Sequence, residues 1–194
     1  MKANVGMIYP VASPVSAYTP YTSITYGTGF VVSEARGANL QWETDSGEFF
    51  GDDVRLDSVN DIIGYTLDFE AAGLADSVRV SLLGEVKSSD LYKITGAGAP
   101  DVGFGYIKKM RDNTSGTMVT SYEAWWFYKL KFGMPNEEAR TKEKTVEWRT
   151  PTMNGVGDGV FLASGAEHPD FAEHETFSTL AAAKAFLNGK AGIS

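Results

Sequence analysis

Side chains that could carry out chemistry are concentrated in one short acidic segment near the end of the sequence. Residues 167–175 read E-H-P-D-F-A-E-H-E and contain both histidines of the chain, His168 and His174. Imidazole and carboxylate groups together can bind zinc or another divalent ion. The spacing matches no standard metal site, however, because Pro169 interrupts helical geometry and no third region supplies a ligand. We therefore expect no metal site and interpret residues 164–176 as a polar, solvated acidic loop.

Two other patterns resemble parts of catalytic sites but lack the necessary context. The glycines at 155, 157 and 159 resemble a phosphate-binding loop, but residues 160–162 (V-F-L) are strand-like, whereas such a loop must open a helix. We expect residues 154–159 to form a flexible turn. Asp52 and Asp53 could act as paired glycosidase carboxylates, although acids in a glycine-rich loop are more commonly solvated. The sequence therefore predicts neither an enzyme nor a bound cofactor.

Length and composition narrow the class of protein. A chain of 194 residues is long enough for one domain with a sizeable core, and 43% apolar and 12% aromatic residues argue against disorder. The net charge of −8 disfavours tight nucleic-acid binding, which needs a basic face. The absence of cysteine excludes disulfide scaffolds and cysteine-ligated zinc, and fits a cytosolic origin. Residues 1–4 carry too little positive charge for a signal peptide, and no apolar run reaches the length of a membrane span.

The clearest regular pattern is a pair of alternating segments in the middle of the chain. Residues 121–132 read S-Y-E-A-W-W-F-Y-K-L-K-F, and residues 102–111 also alternate. Residues 112–116 between them are rich in turn formers, so the pair predicts a β-hairpin. A third strand is predicted at residues 145–150. With period 2, one face of the central strand is fully apolar and consists of Tyr122, Ala124, Trp126, Tyr128, Leu130 and Phe132.

The opposite face of the central strand is mixed. It places Trp125 and Phe127 beside Lys129 and Lys131. One interpretation is two-sided burial in an ordinary sandwich. The other is burial against a neighbouring subunit, and the pattern leaves both open.

Shorter patterns predict the remaining strands. Residues 1–23 are rich in Pro, Ser, Thr and Tyr without a helical period, and we expect an extended amino-terminal arm there. Short strands are predicted at residues 24–32, 40–42, 60–69 and 90–95.

Two helices are expected around this sheet. Residues 70–84 change to a helical period, with Asp76 near the amino terminus and Gly84 as the terminating glycine. The second helix is predicted at residues 179–188, capped by Ser178 and ended by Gly189. The predicted fold class is mainly β: a single domain over residues 1–194, built as a β-sandwich or partly open barrel with one short helix packed on the sheet and a C-terminal helix.

A long interruption between the early strands is the most unusual segment. Residues 45–58 are predicted to form a loop in which Phe49 and Phe50 lie among glycines and acids. A loop of this length is usually functional or disordered, and two adjacent phenylalanines are costly to leave in water. The pair either folds back on its own core or contacts a partner, and composition alone does not separate the two.

The order of the segments resembles the major tail proteins of long-tailed, non-contractile bacteriophages. The matching segments are G-F-G-Y-I-K-K, Y-E-A-W-W-F-Y-K-L-K-F, P-N-E-E-A-R-T-K and T-V-E-W-R-T-P-T-M-N-G, and the resemblance covers roughly residues 62–155. In that family an aromatic strand precedes an acidic turn and then a strand ending in Thr-Pro. The corresponding positions here are Pro135, Glu137, Glu138, Ala139, Thr141, Thr150 and Pro151.

This resemblance implies a structural virion protein. Its fold would be that of phage tail tubes and secretion tubes, with hexameric rings stacked into the tail tube that conducts DNA at ejection. Implied partners are copies of itself, the tape measure protein and the tail terminator, with DNA passing without specific binding and no membrane contact. The protein would be made in the host cytoplasm and located in the virion tail. The long loop would reach the neighbouring ring through Phe49, Phe50, Asp52, Asp53 and Arg55.

Two alternatives stay open. The first is a soluble β-sandwich module that binds a ligand such as carbohydrate, with Trp125 or Trp42 as the stacking surface. The second is the related secretion-system tube subunit, which the resemblance does not separate from the phage protein.

Overall fold

The computed structural model describes residues 2–51, 54–114, 117–135 and 150–194. Across these ranges the protein is mainly β, with one large antiparallel sheet and two helices, the second of them C-terminal. This confirms the predicted mainly β fold class with one short helix on the sheet and a C-terminal helix.

The strands and helices follow one another through the chain in a simple order. They are β1 (Lys2–Thr19), β2 (Ser23–Tyr26), β3 (Phe30–Val31), β4 (Ala35–Gly51), β5 (Val54–Ala71), α1 (Asp76–Leu83), β6 (Val86–Ser88), β7 (Leu91–Lys93), β8 (Val102–Thr114), β9 (Thr117–Phe132), β10 (Thr152–Gly157), β11 (Ala172–Phe177) and α2 (Leu180–Ala191). The large sheet has the order β2-β1-β8-β9-β10-β5-β4, with β3 paired to β1 and β11 paired to β9. Strands β6 and β7 form a separate two-stranded hairpin.

The predicted central hairpin is present as β8 and β9. The two strands pair antiparallel from Thr114 opposite Thr117 to Val102 opposite Leu130. The turn residues 115 and 116 lie outside the described ranges. The alternating, β-branched and aromatic sequence of both segments therefore forms the long ladder that its pattern indicates.

A β-bulge in β9 changes which residues share a face. Phe104 is opposite Phe127, whereas Val102 is opposite Leu130, so β9 has one extra residue in this interval. The extra residue reverses the alternation, and Leu130 therefore joins the face of Phe127. The prediction of one continuous apolar face is wrong for this reason, because Trp126 packs into one core and Leu130 into another.

The main core lies between β8–β9 and the β10-β5-β4 part of the sheet, with α1 packed against it. The largest fully buried side chains that the strands contribute to it come from β5, β8, β9 and β10, and they are Tyr65, Leu67, Phe69, Phe104, Phe127, Leu130, Phe132 and Met153. Burying aromatic and aliphatic side chains of this size is the main stabilising contribution to such a fold. Helix α1 contributes Val78, Leu82 and Leu83, and ends as predicted at Gly84 in the left-handed conformation.

A second core lies on the other side of β1, β8 and β9, beneath α2. It contains Val11, Ile107, Ala124 and Trp126 from the strands, and Ala183, Leu187 and Ala191 from the helix. Helix α2 is capped by Thr179, whose side chain accepts from the amide of Ala182, and it continues past Gly189 to a C-cap at Gly192. Both ends therefore differ from the prediction, because the N-cap is Thr179 instead of Ser178 and Gly189 lies inside the helix.

Residues that were predicted to form the mixed face of β9 are buried or form ion pairs within the chain. Phe127 is completely buried in the main core. Beyond the bulge, Lys129 forms an ion pair with Asp158 at 3.3 Å, and Lys131 pairs with Asp101 at 3.5 Å. Because of the bulge, the two lysines lie on the opposite side of β9 from Phe127, so the predicted mixed face is not one continuous face.

Several predicted loops are strands in the structure. The amino-terminal segment is not a free arm, because β1 pairs with β8 over most of its length. Residues 154–157 of the predicted flexible turn are part of a strand, since β10 pairs with both β5 and β9. Residues 172–176 of the expected acidic loop belong to β11, which pairs with β9. The predicted strand at residues 145–150 falls almost entirely on residues 145–149, which lie outside the described ranges.

Glycine explains why β10 is a strand despite its turn-like composition. A Cβ atom at Gly157 would lie 1.9 Å from the nearest atom of the Tyr65 ring, and one at Gly155 would lie 2.8 Å from Leu130. The glycines therefore allow aromatic and aliphatic side chains to pack directly on the β10 backbone.

Candidate assembly surfaces

The large sheet has several open edges within the described ranges, and two of them lie on β4 and on the first residues of β1. Strand β4 pairs only with β5, so its outer edge is unpaired among the described residues along Ala35–Gly51. Strand β1 pairs with β8 on one side, and on the other side it pairs with β2 and β3 only from Val11 onward. Its first residues, 2–9, therefore present a second unpaired edge within the described part of the sheet. Unpaired backbone N–H and C=O groups of this kind can accept another strand.

The β4–β5 arm is a two-stranded extension of the sheet, made of residues 43–51 and 54–64. Pairing between β5 and β10 ends at Tyr65 opposite Gly157, and beyond this point β4 is the one partner of β5 among the described residues. The ladder continues to Gly51 opposite Val54. The loop predicted at residues 45–58 is thus a paired hairpin over most of its length.

Three of the five predicted assembly residues, Phe49, Phe50 and Arg55, lie at the far end of this arm. The backbone of Phe49 pairs with Asp57, and that of Phe50 pairs with Arg55. Asp52 and Asp53 lie outside the described residues. The structure therefore brings Phe49, Phe50 and Arg55 together at the end of one ribbon.

The arm is exposed and acidic. Residues 43–48 and 60–63 are all exposed, and Ile62 and Ile63 are 44% and 60% exposed. Its sequence has a single Arg55 against many acids, which are Glu43, Asp45, Glu48, Asp52, Asp53, Asp57 and Asp61. Hydrophobic alternation could not have revealed this ribbon, because residues 43–48 are polar on both faces.

Two tyrosines stabilise the bulge that shapes β9. The Tyr26 hydroxyl donates to the Tyr128 carbonyl at 2.9 Å, and the Tyr65 hydroxyl donates to the Lys129 carbonyl at 3.0 Å. Burial raises the pKa of Tyr26 to about 12, and burial also places the pKa of Tyr65 well above its usual range. Both phenols are therefore neutral hydrogen-bond donors at physiological pH.

Trp125 is covered by its neighbours. Its ring stacks on His174 with centroids 4.5 Å apart, and Lys108 Nζ lies 4.1 Å from the ring centroid. Its Nε1 donates to Glu123 at 2.5 Å. Burial lowers the pKa of Lys108. Burial alone would raise the pKa of Glu123, but the hydrogen bonds from Trp125 and Lys2 outweigh this effect and lower the pKa. Trp125 thus offers no open face of the kind that stacking on a sugar requires.

Trp42 is the more accessible of the two predicted stacking residues. Its side chain is 39% exposed, and its ring contacts Tyr65 and Phe171 at centroid distances of 5.6 Å and 6.2 Å. The ring is therefore held by the main core while part of it faces solvent.

The two histidines do not meet. His168 lies in the connection before β11, whereas His174 lies in β11 itself and stacks on Trp125. Within the described ranges, no group of three or more His, Asp or Glu side chains is placed to hold a metal ion. The acidic segment instead contributes an ion pair between Glu173 and Lys190 of α2.

Within the same ranges, both helices fall short of the length and apolar character that a membrane-crossing helix needs. No protein-family model matches the sequence, and no curated protein matches it significantly.

Proposed function

We propose that this protein is a self-assembling structural subunit, and specifically the tube subunit of a bacteriophage tail. The observation that carries the proposal is the pair of open sheet edges, on β4 and on residues 2–9 of β1, which belong to different strands. In a solitary protein such edges favour aggregation, whereas in an assembly they are completed by copies of the same chain. The resemblance of residues 62–155 to major tail proteins supports the same conclusion.

The two edges suit a ring. An edge of β4 on one copy and an edge of β1 on the next make a head-to-tail contact, and such a contact closes into a ring if its rotation allows. A sheet continued around many copies leaves an open channel, because the diameter of a barrel grows with its number of strands. Rings stacked through the β4–β5 arm would then form a tube, located in the virion tail.

The charge of the chain is compatible with a channel for DNA. With a net charge of −8, a channel lined by acidic side chains repels phosphate, so DNA slides through without binding. Measuring the affinity of assembled tubes for DNA at low salt tests this step. Tight binding would contradict it.

Negative-stain electron microscopy of the concentrated protein tests the assembly itself. We expect rings or tubes of uniform diameter. The informative variant replaces Phe49 and Phe50 with Ser, which should leave the monomer folded and impair tube growth. A matched control is Tyr21→Ser, since Tyr21 is an aromatic residue that is 49% exposed in the connection between β1 and β2 and belongs to neither β4 nor residues 2–9 of β1. Normal tubes from the Phe49/Phe50 variant would show that these two residues of the arm are not needed for assembly. A strictly monomeric wild type would refute the proposal.

A second candidate, a carbohydrate-binding module, is favoured by the partly exposed ring of Trp42. Such a module would be monomeric at high concentration, and sugar would change its tryptophan fluorescence in the wild type but not in Trp42→Phe. An unchanged spectrum across a panel of oligosaccharides would exclude it.

A further inference from the structure

The outer end of β1, β8 and β9 carries positive charge in an otherwise acidic protein. The sequence K-K-M-R occupies residues 108–111 of β8, and Lys2 begins β1. Lys2 forms an ion pair with Glu123 at 3.3 Å, and Lys108 covers Trp125. Among the described residues, by contrast, Lys109 and Arg111 have no ion-pair partner.

Lys109 and Arg111 lie on one face of the hairpin. They are two residues apart in β8 and therefore point to the same side of the sheet. Asn113, two residues after Arg111, also points to this side. Met118 of β9 is directly opposite Asn113 and therefore shares the side, and it is 59% exposed. We call Lys109, Arg111 and Met118 the basic face. Glu175, two strands away on the same side, is outside ion-pair distance of both cations.

The β4–β5 arm presents the opposite charge in a similar arrangement. Glu43 and Asp45 are two residues apart in β4, and Asp45 is directly opposite Asp61 in β5. None of the three has an ion-pair partner among the described residues. We call Glu43, Asp45 and Asp61 the acidic face; the exposed Ile63 is the extra residue of the bulge beside it.

Like charges directly opposite each other in an antiparallel pair are destabilising. Asp45 and Asp61 therefore repel each other in an isolated subunit, and two β4 edges also repel when they approach one another. A partner with closely spaced cations removes both costs. The basic face has two such cations, and an exposed methionine beside them that matches the exposed isoleucine.

We infer that the acidic face of the arm on one copy docks on the basic face of a second copy. This inference rests on the proposed function, since it assigns the surface that receives the arm in the assembly. The contact is heterologous, and it is orientation-specific because the opposite charges lie on two different surfaces of the subunit. It also selects against nucleic acid, since each bound copy neutralises the cations that would attract phosphate.

Charge reversal tests the pairing directly. The variants are Asp45→Lys/Asp61→Lys, Lys109→Glu/Arg111→Glu, and the chain that combines all four changes. We expect each reversed pair to raise the critical concentration for assembly by on the order of tenfold or more, because close charge pairs between proteins are strongly coupled. The combined variant should recover assembly, since both interacting faces have then exchanged sign. Assembly is measured by sedimentation and negative-stain microscopy across a salt series.

Two controls separate pairing from net charge. Lys87→Glu/Lys93→Glu changes the net charge as much as the basic-face variant, using exposed lysines of the β6–β7 hairpin. Asp90→Lys/Glu167→Lys does the same for the arm variant, using exposed acids elsewhere. Neither control should change the critical concentration by more than about threefold, because screened charges away from the contact contribute little. Any variant that fails to fold is replaced by its Asn or Gln equivalent.

Each outcome decides the inference. If both charge-reversal variants form tubes as readily as the wild type, the inference is overturned while the proposed function stays in place. The same holds if both single reversals block assembly but the combined variant does not recover it. Loss of DNA binding without loss of assembly in Lys109→Glu/Arg111→Glu would assign the basic face to nucleic acid instead. A wild-type chain that never assembles would overturn both proposals.

Discussion

Replacing Gly157 with Ala tests the least expected strand of the fold. Gly157 is the last residue of β10 and lies opposite Tyr65 in the sheet. A Cβ atom there would lie within 2.4 Å of three atoms of the Tyr65 ring. The ring cannot easily move away, because Tyr65 is completely buried, packs 5.2 Å from the Phe127 ring and donates to the Lys129 carbonyl.

The expected cost follows from these contacts. Overpacking a core costs typically about 1–3 kcal/mol. Displacing the ring also breaks a buried hydrogen bond, which adds roughly 1 kcal/mol. We therefore expect Gly157→Ala to lower the free energy of unfolding by about 3 kcal/mol. In a protein of this size that corresponds to a fall in Tm of about 6–12 °C.

Urea denaturation followed by tryptophan fluorescence measures this change. The matched control is Gly6→Ala, since Gly6 is also a strand glycine but a Cβ atom there meets nothing within 4 Å. The control should stay within about 0.5 kcal/mol of the wild type. Repeating Gly157→Ala in a Tyr65→Leu background isolates the pairwise term. An equal cost in both backgrounds, or a cost no larger than that of Gly6→Ala, refutes the packing of β10 on Tyr65.

Three further predictions concern the rest of the fold. Leu187→Ala should lower the unfolding free energy by about 2–5 kcal/mol because it leaves a cavity beneath α2, whereas the neighbouring Lys184→Ala should cost less than 1 kcal/mol; thermal denaturation checks both. Arg79 lies 2.7 Å from the buried carboxylate of Glu85, so Arg79→Ala leaves that carboxylate without its cation. The free energy of unfolding, measured in urea, should fall by about 3 kcal/mol, unless Glu85 is also replaced by Gln. Burial raises the pKa of Tyr26 to about 12, compared with 10.0 in the unfolded chain. The neutral phenol therefore stabilises the fold fully below pH 10, and this contribution is lost as the pH rises toward 12. Tyr26→Phe should reduce the fall of the unfolding free energy between pH 10 and 12, and an unchanged dependence on pH contradicts the assignment.

The architecture of the assembly surfaces was only partly accessible from the sequence. The composition of residues 45–58 marked that segment as unusual, since Phe49 and Phe50 stand among acids. It did not indicate a paired ribbon, because polar residues on both faces give no hydrophobic alternation. The basic face was likewise missed: the K-K-M-R run is visible in the sequence, but only pairing with β1 and β9 shows which of its cations lie on one side.

The sequence by itself determined the local elements with strong periodicity. The alternation of residues 102–111 and 121–132 specified the β8–β9 hairpin, and the helical stripe before Gly84 specified α1, because in both cases neighbouring residues carry the signal. Tertiary structure decided the rest. Strands β10 and β11 have short, polar or glycine-rich sequences, and they are strands only because β5 and β9 supply hydrogen-bond partners far away in the chain. The bulge that divides the apolar face of β9 between two cores is also set by its partners, since one extra residue reverses every side chain beyond it.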